Sequence, residues 1–186
     1  MEKNRLEAFS DGVLAIIITI MILELRQPAG ESMKDFMELM PTLMAYFLSF
    51  MFIALYWVNH HQIFHDAESV NVKILWCNIA WLFIMSFIPF ATAWVGTYPT
   101  SWGPLSVYFA DMALACIAFH LMYYLIVCES CGRGSFHLGA RSIISLLVYC
   151  LAAVLGGYCP TAAFIAVAVV SFWWIVPVKN SGGEAE

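Results

Sequence analysis

Charged residues are scarce. They make up 11% of the 186 residues, against roughly a quarter in a soluble domain, while 62% are hydrophobic and the mean hydropathy is +0.82. A chain with so little charge cannot clothe a water-facing surface, so most of its solvent is lipid bilayer. The eight lysines and arginines are scattered and the net charge is only -5, which leaves no basic stripe and excludes nucleic acid as a partner. A disulfide framework is also missing. Four of the six cysteines, Cys77, Cys116, Cys150 and Cys159, lie in or beside apolar segments, where a thiol acts as a small hydrophobe. No small-residue cleavage site follows the first apolar run, so that run is expected to stay in the protein and not to be removed as a signal peptide. The polar pattern of the first segment does not recur in the fourth, so no internal repeat is evident.

What is present is a series of six apolar segments, at 5–25, 41–64, 74–95, 105–127, 143–158 and 161–178. A helix needs about 20 residues at 1.5 Å each to cross roughly 30 Å of hydrocarbon, so the chain has room for six spans and no soluble domain. Breakers or charges separate them, and Gly156-Gly157-Tyr158-Cys159-Pro160 makes the last two a tight hairpin. Pro89 is expected to kink the third. The fold class is therefore an all-α integral membrane protein of six transmembrane helices, one domain over 1–178, with 179–186 a disordered polar tail. An even number of spans puts both termini on one side. That side holds Lys3, Arg5, Lys73, Arg133, Arg141 and Lys179 against Arg26 and Lys34 on the other, so both termini are expected in the cytoplasm of a multi-pass cell-membrane protein.

The first helix is the anomaly. Its purely apolar part, 13–23, would be only about 16 Å long, so it must begin among Arg5, Glu7, Ser10 and Asp11. An acid so close to hydrocarbon is costly and normally faces the bundle interior with a partner, which makes Asp11 a functional-site candidate; the plainer alternative is a helix-start anion at the interface. On a 100° helical wheel Ile16, Thr19, Ile20 and Leu23 form one stripe, and Asp11 lies about 140° from Ile16. The stripe can thus face an axis while the acid turns sideways to neighbouring helices. Isoleucine and leucine at this spacing are also what ordinary helix packing produces.

The run Arg5-Leu6-Glu7-Ala8-Phe9-Ser10-Asp11 resembles the Arg-x-x-x-Phe-Ser-Asp signature that opens the first helix of the transmembrane protein 175 family, the lysosomal potassium channels and their prokaryotic relatives. The likeness continues through Tyr56-Trp57-Val58-Asn59-His60-His61 and from Asn78 to Thr92, and covers roughly the first half of the chain. It implies a six-helix subunit, a homotetramer for a chain of this length, and a pore lined by the first helix. It also implies that Arg5, Phe9, Ser10 and Asp11 belong to a structural polar network with partners from the second and third segments; the candidates are Trp57, Asn59, His60, His61 and Asn78. In some prokaryotic relatives a hydroxyl layer resembling Thr19 is held responsible for selectivity.

Other polar features suggest rival chemistry. His61 and His65 are four apart, but no His-Glu-x-x-His motif accompanies them, and a histidine donating to Asp11 accounts for one of the pair. Cys128, Cys131 and His137 could supply three ligands, but there is no second Cys-x-x-Cys, so no metal and no cofactor is expected. Asp111 and His120 inside the fourth segment suggest a proton relay, although Asp111 follows Pro104 closely and an outer-interface position explains it more simply. Trp94, Tyr98, Trp102, Trp173 and Trp174 read as an interfacial belt. No Thr-Val-Gly-Tyr-Gly filter is present; Val95-Gly96-Thr97-Tyr98 and Gly156-Gly157-Tyr158 are loop punctuation. With no nucleophile or cofactor motif an enzyme is not expected. The reading is a passive, potassium-preferring cation channel in which Ile16, Thr19, Ile20 and Leu23 form a hydrophobic and hydroxyl constriction, conducting potassium ions without a carbonyl filter. The alternatives are a proton-coupled secondary transporter using Asp11, His60 and His120, though paired repeats and two interrupted helices are not visible, and a scaffold without transport.

Overall fold

The computed structural model of the chain describes residues 3–65, 67, 69–130 and 139–175, and among these every regular element is helical. The helices are α1 (Lys3–Leu23), α2 (Met33–Glu38), α3 (Met40–His65), α4 (Val72–Met85), α5 (Ile88–Thr97), α6 (Trp102–Ser130), α7 (Ala140–Leu155) and α8 (Pro160–Trp173). Residues 179–186 lie outside the described residues, as do Arg133, Lys179, Cys131 and His137.

Two departures from the hydropathy reading have local causes. The third apolar segment is two helices, because the ring of Pro89 cannot donate to Met85 and clashes with its carbonyl. The chain instead tightens at Ser86, whose N–H reaches the carbonyls of Leu82 and Phe83 at 3.0 and 3.2 Å, and restarts with Pro89 in the first turn of α5, where a missing donor is harmless. The second departure is α2, a six-residue helix in a stretch read as connection. Ser32 starts it with a capping box: its hydroxyl accepts from Asp35 N–H at 3.2 Å, and the Asp35 carboxylate accepts from the backbone and hydroxyl of Ser32. These bonds hold Asp35 below the usual carboxylate range.

Four helical stretches are long and apolar enough to cross a membrane: Lys3–Leu23, Met40–His65, Val72–Thr97 taken across its break, and Trp102–Ser130. The apolar helices α7 and α8 have 16 and 14 residues, about 24 and 21 Å, and fall short of a full hydrocarbon thickness on their own. Of the six spans expected from hydropathy, length alone therefore supports four.

Successive long spans run antiparallel, with α4 and α5 counted as one. At one end Lys3 Nζ donates to the carbonyls of His65 and Ala67, both at 3.2 Å, and Asn71 Nδ2 donates to Glu129 Oε2 at 2.8 Å. At the other, Thr42 Oγ1 donates to the Gly96 carbonyl at 2.9 Å, and Ser106 Oγ and Trp102 Nε1 donate to the carbonyls of Ala153 and Val154. A Cβ on Gly96 would stand 3.0 Å from Thr42 Cα, so glycine is what lets α5 approach α3 there. Helix α1 lies on α3, α4 and α5; α6 packs on α4 and α5; α7 flanks α6, and α8 closes back onto α7 and α3. Lipid tails are as apolar as leucine, so close packing and interhelical hydrogen bonds hold such a bundle together. The packing centres on Phe52, Phe64, Trp81, Tyr108 and Phe109, all fully buried.

Candidate pore helix and its polar anchor

Helix α1 has two contrasting faces. Leu6, Ser10, Leu14, Ile17 and Met21, spaced three or four apart, are buried against the bundle. On the other side Ile16, Ile20 and Leu23 are 59, 41 and 81% exposed, and Thr19 is exposed among them. The exposed stripe therefore contains the four residues expected to line a path. Thr19 Oγ1 donates its proton to the Ile16 carbonyl at 2.8 Å, so the hydroxyl is committed as a donor while its oxygen lone pairs remain available.

A ladder fastens α1 to α3. Lys3 meets the His65 carbonyl, Glu7 Oε1 lies 3.6 Å from His61 Nδ1, and Asp11 Oδ1 accepts from Trp57 Nε1 at 2.9 Å. Each step is four residues up α1 and four down α3, the repeat at which side chains share a face on two antiparallel helices. Behind it runs a buried line. Ser10 Oγ donates to the Leu6 carbonyl at 2.9 Å and accepts from Asn78 Nδ2 at 3.0 Å, and Asn78 Oδ1 accepts from His60 Nε2 at 2.8 Å. An amide oxygen only accepts, so Nε2 of His60 carries the proton. The His60 ring stacks on Trp81 at 5.2 Å and 14°.

The residues expected in one network thus occupy several places. Ser10, Asn78 and His60 form the buried line; Asp11 and Trp57 form a rung of the ladder, with His61 on the next rung. Neither histidine bonds to Asp11, because His61 faces Glu7 and His60, 100° round α3, faces α4. Asn59 is not brought in: its amide donates to the Leu55 carbonyl of its own helix at 2.7 Å, and it borders a small cavity with Tyr56, Cys116, Phe119 and His120. Arg5 and Phe9 are exposed and share the angular position of Ile16, on the outward stripe. His120 Nδ1 lies 2.7 Å from the Cys116 carbonyl in its own helix. Asp111 is buried in α6, nine residues inside its start. Among the described residues no group of three metal-ligating side chains gathers, and the five described cysteines are free.

Two features escaped the sequence reading. Glu7 reads in the sequence as a polar residue alone, although its i, i+4 relation to Asp11 signals that both face one partner helix. The other is a buried hydroxyl cluster, with Ser49 Oγ 2.7 Å from Thr92 Oγ1 and 2.9 Å from Tyr108 OH. Its signal was a lone serine and a lone threonine inside apolar segments, which must find partners in a dry interior.

Residues 5–89, which carry the buried line, the outward stripe and the ladder's rungs at Glu7 and Asp11, match the family described as endosomal/lysosomal potassium channel TMEM175. A potassium channel of Chryseobacterium sp. (strain P1-3) is 38% identical over 184 residues, 97% of this chain and 96% of that one. The chain belongs to the TMEM175 family. A second relative, a potassium channel of Streptomyces collinus, is 32% identical over 131 residues, 66% of this chain and 64% of that one. The fold agrees with the crystal structure of a lysosomal potassium-selective channel TMEM175 homolog from Chamaesiphon minutus, with a TM-score of 0.80 at 26% identity, covering 94% of this chain and 96% of that one. As a TMEM175 member the chain is an all-helical membrane protein, and its first helix is the element whose outward face remains to be explained.

Proposed function

We propose that the chain is one subunit of a passive, potassium-preferring cation channel, a homotetramer of six-helix subunits in the cell membrane with both termini cytoplasmic and α1 innermost. The observation that carries this reading is the division of α1 into a buried face and a stripe of Ile16, Thr19, Ile20 and Leu23 that the protomer leaves uncovered. Four such stripes around an axis make a narrow path lined by branched apolar groups and one hydroxyl. Relatives named as potassium channels, one matching nearly the whole chain, support the ion and the passive mode. A potassium ion holds its water less tightly than sodium, so a path that forces partial dehydration favours potassium without a carbonyl filter. Closed apolar rings would also dewet and stop the current. The polar ladder and the buried line support α1 from behind and are structural in this reading. Catalytic groups play no part in it.

The transporter alternative draws on Asp11, His60 and His120, and among the described residues no hydrogen bond connects any two of them. Purified protein in liposomes decides between the mechanisms. Passive potassium flux with a reversal potential set by the potassium gradient supports a channel; uphill movement driven by a proton gradient overturns it.

A further inference from the structure

Asp111 is the buried acid that neither the ladder nor the stripe employs. It lies nine residues into α6, about 14 Å along a 29-residue helix, where the packed bundle and not water surrounds most of its side chain. It is 9% exposed, and its Oδ2 has no hydrogen-bond partner. It borders a groove of about 390 Å3 between α4, α5 and α6, open on one side. Every other lining residue is apolar, and three are phenylalanines: Phe83 and Phe90 on the two sides of the helix break and Phe87 within it, 65, 59 and 48% exposed. Phe83 and Phe87 meet edge to face at 5.3 Å.

An acid at the floor of an aromatic groove has the chemistry of an ammonium site. Ring faces attract a cation through their quadrupole, a carboxylate supplies the opposite charge, and the rest of the groove accepts alkyl chain. We propose that this groove binds a lipophilic organic cation, an alkylammonium with its head on Asp111 and Phe87 and its chain along Val107, Ala110 and Leu114. A bare alkali ion would find a single carboxylate and no oxygen cage, whereas an alkylammonium gains from both the acid and the rings. Such a ligand enters sideways from the bilayer, so its occupancy is separate from the α1 path.

The test is equilibrium binding of radiolabelled decyltrimethylammonium to the full chain in lipid nanodiscs, beside a neutral isostere carrying a tert-butyl head. The wild type is expected to bind the cation at least tenfold more tightly than the isostere. Asp111→Asn should erase that preference while leaving isostere binding unchanged, and Leu114→Trp, a change at an exposed position, should weaken both by occluding the groove. Equal binding of cation and isostere by the wild type overturns the proposal, as does full cation affinity in Leu114→Trp. A photoreactive residue at 114 that cross-links to a second copy of the chain also overturns it, since the groove would then be a subunit contact.

Discussion

Trp57 Nε1 and Asp11 Oδ1 meet at 2.9 Å, and this bond is the innermost rung of a ladder that fixes the rotation of α1 on α3. Rotation matters more than strength. A helix turned by one residue moves its side chains 100°, which would bring Ala15 and Ile22 onto the outward stripe and carry Ile16, Ile20 and Leu23 off it. The rungs at Lys3, Glu7 and Asp11 oppose such a turn at three levels.

If the rung holds α1 in register, Trp57→Phe and Asp11→Asn should lower the assembled fraction about fivefold, near 1 kcal/mol, with the double variant costing little more than either alone. Size-exclusion with light scattering reads the assembled fraction. Reversal potentials of the channels that do assemble should be unchanged. An Asp11→Asn protein that assembles normally but loses potassium preference would place Asp11 in the ion path.

The buried line is expected to be costlier to break. Asn78→Leu leaves His60 Nε2 without its acceptor in a dry interior, at about 1–3 kcal/mol for the donor left unsatisfied, while Ser10 keeps its bond to the Leu6 carbonyl. Thermal unfolding in nanodiscs should show a clear loss, and Asn78→Asp, which keeps the acceptor for His60, should lose less. A leucine variant as stable as the wild type would mean that the line contributes nothing to holding α1.

Much of this was legible in the sequence because it rests on periodicity. The outward stripe follows from i, i+3, i+4, i+7 spacing, and the apolar segments follow from hydropathy, so both were visible in one dimension. The signature was legible as a motif but not as a single site. Arg5, Phe9, Ser10 and Asp11 are near neighbours in sequence, yet at 100° per residue they point in different directions, two outward, one into the core and one sideways to α3. Pairings across helices depend on relative rotation, which no single segment encodes. That is why Trp57, and not a histidine, is the candidate that donates to Asp11, and why Asn59, one residue from His60, faces an unrelated cavity.

The connection between α1 and α3 holds Glu24, Glu31, Asp35 and Glu38 against Arg26 and Lys34, two net negative charges per subunit. Such a surface concentrates cations but is screened within about 8 Å at physiological salt. Replacing the three glutamates by glutamine should reduce single-channel conductance at 10 mM potassium and leave it unchanged at high salt. Asp35 has a separate role, since the Ser32 bonds lower its pKa. A depressed carboxylate stabilises the folded form above its unfolded pKa, and that contribution is lost as pH falls through the folded value. The α2 cap should therefore persist at neutral pH and fail only below about pH 4. Amide exchange of 33–38 that accelerates already between pH 7 and pH 5 would contradict this assignment.

The decisive substitutions are on the stripe itself. Ile16 and Leu23 are the exposed branched side chains at its two ends, and in the proposed tetramer a ring of either would exclude water from the narrowest point. Ile16→Asn replaces that ring with amides that can hydrate a passing ion, so it should raise the basal current severalfold and shift the bi-ionic reversal potential towards zero. Thr19→Val keeps the size and removes the oxygen that a partly dehydrated potassium ion can use. Because Thr19 is exposed and its hydroxyl bonds to the Ile16 carbonyl of its own helix, the loss should leave folding and yield almost unchanged. Its effect should appear in selectivity, as a reduced potassium preference at normal expression. The two variants probe different properties of one surface, hydration in the first and ion coordination in the second, so a general packing defect cannot imitate both. If both assemble as the wild type does, and both conduct with unaltered amplitude and reversal potential, the outward face of α1 is a packing surface and the ion path lies elsewhere in the bundle.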